Sequence, residues 1–245
     1  MKIFALPMNP ITAYSPLHIF IVAIIIIVSF LLALFLKNVL NISVLKVMGF
    51  SGILLAIIEI FKQFLLTYVH NGNYVWSGFP FQLCSTPMYL CFIYIFIKKL
   101  RQKIADFIMV YGLIGAIASF AVPYSTLTGY LFLTMQSFLW HGILMFLSLY
   151  LLLCRDKNKP SNYKSVAMIY IVLSAIAVLI NIIFLNKSNG TINMFFLGPG
   201  FPNMFILDSI YNNTYWEIEA LSMITASVFV GLLIYKIELI IKKYI

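Results

Sequence analysis

A chain of 245 residues that is 63% apolar and only 9% charged, with a mean hydropathy of +1.03, lies far outside the composition of a soluble domain. This excludes a water-soluble enzyme and predicts an all-α, polytopic membrane protein, a single transmembrane helical domain over 1–245. The formal net charge of +9 calls for no nucleic acid, because membrane proteins gather lysine and arginine in cytoplasmic loops, where anionic headgroups attract them.

A hydrocarbon core about 30 Å thick takes roughly 20 apolar residues per helix. The chain offers seven such runs, near 17–36, 47–66, 79–97, 104–122, 132–153, 164–185 and 216–241, which predicts a seven-helix bundle. The first run follows a tail with no basic cluster and lacks a small-residue cleavage site, so it reads as a span and not as a secretory signal. Basic residues fall in the loops after the first, third and fifth runs and in the C-terminal tail: Lys37 and Lys46, Lys98 to Lys103, Arg155 to Lys164, and Lys236 to Lys243. The opposite segments carry only Lys2 and Lys187. The positive-inside rule then places the N-terminus outside and the C-terminus inside. Enrichment in Ile, Asn and Lys is typical of AT-rich bacterial genomes and predicts a bacterial plasma membrane. On that reading the Asn-x-Ser/Thr triplets at Asn41, Asn186, Asn189 and Asn212 are chance matches, not glycan sites.

Ionisable residues inside spans are functional candidates, and most fall in the outer half. In the second run Glu59, Lys62 and Gln63 sit at i, i+3 and i+4 and share one helix face. Glu59 and Lys62 also suit a neutralising pair, with the lysine snorkelling outward. The third run opens with FPFQLCSTPMYL, residues 79–90. Pro87 removes the N–H that would bond the Leu83 carbonyl and disfavours helical angles at Thr86. Thr86 and Pro87 read as N-cap and N1. A helix from Pro87 to Ile97 rises only about 16 Å, so the run must break near Cys84, and such a break is tolerated only where protein or a wet cavity surrounds it. That leaves Cys84 beside free N–H groups at a helix N-terminus, with N–H groups near Ser85 available to an oxyanion.

In the fourth run Gly112, Gly115 and Ser119 line a close-packing seam. In the fifth, Thr134, Ser137, His141 and Ser148 form a polar stripe within roughly 60° of arc. The inner half of the bundle reads as nearly bare of polar groups. Cys91 and Cys154 read as packing residues, and no pair of cysteines suggests a disulfide. A thiol, an imidazole, a carboxylate and an amide thus converge from three helices at overlapping depth, and a cysteine with a histidine base suffices for acyl transfer.

These residues also carry a resemblance. FPFQLCS resembles the proline-x-x-leucine-cysteine-serine signature of the YwaF-like integral membrane family, and FLTMQSFLWHGILMFLSLYLLL resembles its histidine helix, over roughly 50–216. That family's animal relatives are cysteine-dependent phospholipid acyltransferases. The resemblance implies Cys84 as nucleophile and His141 as general base, and it adds Asn193 in GTINMFFLGPG and Asp208 in FILDSI. It departs at Gln82, where the family has histidine: an amide hydrogen-bonds but takes no proton. Met194 and Phe195 depart from the asparagine motif.

Metal spacing and nucleotide-binding loops are absent from the sequence, so neither metal nor cofactor is expected, and the expected partners are membrane lipids as acyl donor and acceptor. The leading expectation is a lipid acyltransferase or ester hydrolase working through a thioester at Cys84. His141 serves as base, Ser85, Gln82 and Asn193 as oxyanion or orienting support, and Glu59, Gln63, Ser137 and Asp208 as the polar pocket. The alternatives are a transporter or channel with a polar pathway through Glu59, Lys62 and His141, or a non-catalytic scaffold.

The charge pattern has a direct test. On a cysteine-free background, a thiol at position 71 should react with an impermeant maleimide in intact cells and one at position 158 should not; the reverse pattern inverts the topology.

Overall fold

A computed structural model of the protein describes residues 11–155, 162–200 and 215–244, and every regular element among them is helical. The elements are α1 (Pro16–Asn38), α2 (Val44–Val69), α3 (Thr86–Phe96), α4 (Arg101–Phe107), a π-helical turn at Ile108–Gly112, α5 (Leu113–Ala121), α6 (Leu131–Cys154), α7 (Tyr163–Phe184) and α8 (Trp216–Tyr244). The stretch from α4 through α5 runs on as one helix, and with α1, α2, α6, α7 and α8 it makes 6 helices long and apolar enough to cross a bilayer. The protein is therefore a multi-pass membrane protein. The seventh expected span is not of that length: only the shorter apolar stretch Leu83–Phe96 is helical there. The run is broken beside Cys84, but the extended backbone ends at Gln82, and Thr86 takes helical angles (φ −63°, ψ −32°) in spite of the proline that follows it.

α6 occupies the centre. Its residues from Ile143 to Leu153 are buried apart from Leu149, and α1, α2, α5 and the π turn all pack on it. α1 lies at the periphery, with Ile19, Phe20, Ile27 and Leu31 exposed on one side and Ser29 bonded to the Gly142 carbonyl at 3.2 Å on the other. A helix apolar all round with so little of it buried presents its outer face to lipid.

The glycine seam is where backbones come closest. A Cβ at Gly112 would lie 2.7 Å from Ser148 Oγ, so only glycine lets the π turn reach α6. Ser148 in turn donates to the Ile108 carbonyl at 3.0 Å. A π turn shifts the helical hydrogen-bond ladder by one residue, and this member of the polar stripe supplies the donor. Across the bundle, Gly52 of α2 sits against Cys91 of α3: a Cβ there would be 2.9 Å from the cysteine Cβ. Cys91, fully buried, is a packing residue.

The expectation of a bare inner half is overturned. At the end of the bundle that bears the basic loops, Arg155 Nη2 lies 3.3 Å from Asp106 Oδ1, with side chains 5% and 7% exposed. Gln102 donates to the same Oδ1 at 2.9 Å. The guanidinium lies 5.3 Å from the centre of the Tyr235 ring and donates to the Tyr235 hydroxyl at 3.4 Å, and buried Glu238 lies within electrostatic reach of both Asp106 and Arg155. Arg155 is thus a buried partner and not a loop charge. The sequence conceals the cluster because its members stand near the ends of three different helices, where each alone resembles an interfacial residue.

Removing one partner of a buried pair strands the other charge, so Arg155→Met should cost about 3–5 kcal/mol in detergent unfolding. Asp106→Asn combined with Arg155→Met should recover most of that loss.

Candidate active site

The segment from Gly78 to Ser85 descends without regular helix until the 3₁₀ turn Leu83–Ser85. Its carbonyls find partners nonetheless. Gln63 Nε2 donates to Gly78 at 2.7 Å, the Phe81 N–H to Phe79 at 2.8 Å, and the Tyr89 hydroxyl to Pro80 at 2.7 Å. The Ser85 N–H donates to Gln82 at 2.8 Å, Thr86 Oγ1 to Leu83 at 2.8 Å, and the Trp140 indole to Cys84 at 3.0 Å. Two details differ from the sequence reading. Ser85, not Thr86, is the residue preceding the helix, and Thr86 is its first residue, bonding back to Leu83. The Ser85 N–H is also engaged by Gln82. The groups that address the Cys84 sulfur are its own N–H and the Ser85 hydroxyl.

The bond from Trp140 joins the Cys84 turn to α6 one residue before His141. His141 is buried, packs against the Phe120 ring with centroids 6.2 Å apart, and places Nδ1 2.8 Å from the Ser137 carbonyl. A carbonyl only accepts, so Nδ1 carries the proton of the neutral ring and Nε2 keeps the lone pair. Ser137 therefore serves through its backbone. Cys84 also touches α5: a Cβ at Gly115 would lie 3.6 Å from the Cys84 Cβ. The thiol is half-buried.

α2 contributes the charges. Lys62 Nζ pairs with Glu59 Oε1 at 2.8 Å, and Gln63 Nε2 donates to the same oxygen at 2.7 Å. Lys62 lies within electrostatic reach of both Cys84 and His141, and Glu59 of Cys84. Glu59 is buried, and its Oε2 has no hydrogen-bond partner among the described residues. A buried acceptor left open is costly unless something else fills it.

Gln82 and Asn193 meet directly, but both work on a loop. Gln82 Nε2 donates to the Asn193 carbonyl at 3.1 Å, and its Oε1 accepts the Phe195 N–H at 2.9 Å. The Asn193 amide donates to Gly200 at 2.7 Å and accepts from Gly198 at 2.9 Å. Phe195 sits at φ 58°, a conformation that bulky residues avoid. It is held by Gln82 and by stacking on Phe81 at 5.9 Å. Asp208 lies outside the described residues.

Two residues of this site escaped the sequence reading. Trp140 had a usable signal, because a buried indole N–H must find an acceptor. Asn181 had another, as a carboxamide in the middle of an apolar span. It exchanges two hydrogen bonds with the Met194 backbone, at 2.6 and 3.0 Å.

The sequence profile of the TMEM164 family, a family of membrane proteins, matches residues 13–235, and the chain belongs to that family. No curated protein and no solved structure matches the chain. The match spans the stretch over which the YwaF-like resemblance runs.

Gln82→Leu should free the 193–200 loop, since it removes both bonds to Asn193 and Phe195. A loss of about 1–3 kcal/mol and faster proteolysis near Gly198 are expected, with Gln82→Glu unable to restore the donor.

Proposed function

We propose that this TMEM164-family protein is a membrane lipid acyltransferase or ester hydrolase with Cys84 as nucleophile and His141 as base. The bond from Trp140 to the Cys84 carbonyl is the observation that carries this reading, because it binds the thiol's turn to the histidine's turn across two helices. His141 Nε2, the nitrogen with the free lone pair, takes the thiol proton. The thiolate attacks the ester carbonyl of a lipid, and the alkoxide leaves with the proton from His141, giving a Cys84 thioester. An acceptor hydroxyl, or water, then attacks the thioester as His141 takes its proton. The thiolate leaves and is reprotonated. The Cys84 N–H and the Ser85 hydroxyl are the donors this reading assigns to the developing oxyanion, and the open oxygen of Glu59 suits a polar group of the substrate.

The basic loops support a bundle with its N-terminus outside, all seven helical stretches embedded, and the Cys84 site open to the extracytoplasmic side of a bacterial plasma membrane. The buried Asp106, Arg155 and Glu238 favour a second reading, a transporter, because they supply the inner polar groups that a pathway from Glu59 would need.

Cys84→Ala should abolish acyl exchange between phospholipids while the bundle stays folded. Cys84→Ser should keep little activity, since a hydroxyl is far less acidic than a thiol, and Cys91→Ala should be nearly silent. An acyl-labelled lipid should leave a hydroxylamine-sensitive adduct on the parent and none on Cys84→Ala. Full lipid turnover by Cys84→Ala would leave the transporter as the better account.

A further inference from the structure

At the basic end of the bundle, away from Cys84, α3 and α7 each bring residues to a gap beside α4. The gap is a cavity of about 380 Å³, within the range of roughly 300–1,000 Å³ common for ligand sites. Leu90 and Ile93 of α3, Leu100 and Ile104 beside α4, and Met168 and Ile169 of α7 form its walls. Leu90 with Ile93, Leu100 with Ile104, and Lys164 with Met168 are three or four residues apart, so each of these pairs lies on one helix face. Lys103 and Lys164 also line the cavity; both are exposed. Among the described residues the only ion pairs are Lys62 with Glu59 and Arg155 with Asp106, so neither rim lysine has an acidic partner. The neighbouring Arg101 is already committed, donating to the Tyr94 and Ile95 carbonyls at 2.9 and 3.0 Å.

We propose that this groove binds one anionic glycerophospholipid from the leaflet beside the basic loops, with its phosphate between Lys103 and Lys164 and an acyl chain along Leu90, Ile93 and Met168. A soluble anion would satisfy the lysines but leave the apolar walls against water. A zwitterionic lipid would fill the walls but bring no net charge to two uncompensated ammonium groups. An anionic lipid meets both requirements. This site needs no acyl chemistry and stands whether or not Cys84 is a nucleophile.

Native mass spectrometry of the full chain, titrated with dioleoylphosphatidylglycerol, tests it. One lipid should be retained, and phosphatidylcholine should bind at least about tenfold more weakly. Lys103→Gln with Lys164→Gln should weaken phosphatidylglycerol binding by about 30-fold, equivalent to ~1 kcal/mol per lysine, with an unchanged melting temperature. Ile93→Trp should lower occupancy with both charges in place, and millimolar inorganic phosphate should not displace the lipid. Lys98→Gln with Lys99→Gln removes the same charge one turn away and should leave binding within about twofold. Undiminished binding to the Lys103/Lys164 variant overturns the proposal. An equal loss in the Lys98/Lys99 variant overturns it in favour of diffuse attraction to a basic face, and displacement by phosphate in favour of a soluble-anion site.

Discussion

A bilayer gives the backbone nothing to hydrogen-bond with, so any non-helical segment at membrane depth must be satisfied by the protein itself. The stretch from Gly78 to Ser85 meets that constraint by drawing donors from three places: Gln63 on α2, Trp140 on α6, and Tyr89 and Thr86 on its own helix. The contacts that hold the candidate site together are largely these same bonds. The thiol's turn is tied to the histidine's helix because the Cys84 carbonyl lies in the irregular entry to α3, and the indole beside His141 donates to it. Stability and site geometry share a cause.

The second irregular segment obeys the same rule and leans on the first. Asn181 and Gln82 hold the backbone of Asn193 to Phe195 from opposite sides, so the loop after α7 is tied to the approach to Cys84. Asn193 then holds Gly198 and Gly200. Gln82 is an amide with one donor end and one acceptor end, and both are used. A neutral histidine offers one donor and one acceptor too, but in a ring of different reach; the amide's role here is attachment, with no proton to give or take.

α6 links two polar regions. Away from the basic loops Glu59, Lys62 and Gln63 leave a carboxylate oxygen open within electrostatic reach of Cys84. Near the basic end Asp106, Arg155, Gln102 and Tyr235 are knitted together by ion pair, hydrogen bond and ring contact. The second joins the ends of the α4 stretch, α6 and α8, and there too a buried carboxylate oxygen, Glu238 Oε2, has no hydrogen-bond partner among the described residues.

Composition, run length and loop charge were enough to establish a multi-pass helical bundle, because twenty apolar residues in a row have no stable place in water and few alternatives in lipid. Local rules reached further at Pro87, which stands in the first turn of α3 where no N–H is needed, and at Gly112, where a small residue marks close approach. They failed at Thr86, one residue out, because Thr86 takes helical angles despite the proline that follows and so becomes the first residue of α3, with Ser85 before it. Arg155, Asp106 and Glu238 could not be grouped from their positions 49 and 83 residues apart along the chain, since their pairing depends on how three helix ends are brought together. The same holds for Cys84 and Trp140. Sequence periodicity says which face of its own helix a residue occupies; which neighbour that face meets is settled by packing around α6, a sum over contacts that no single segment contains.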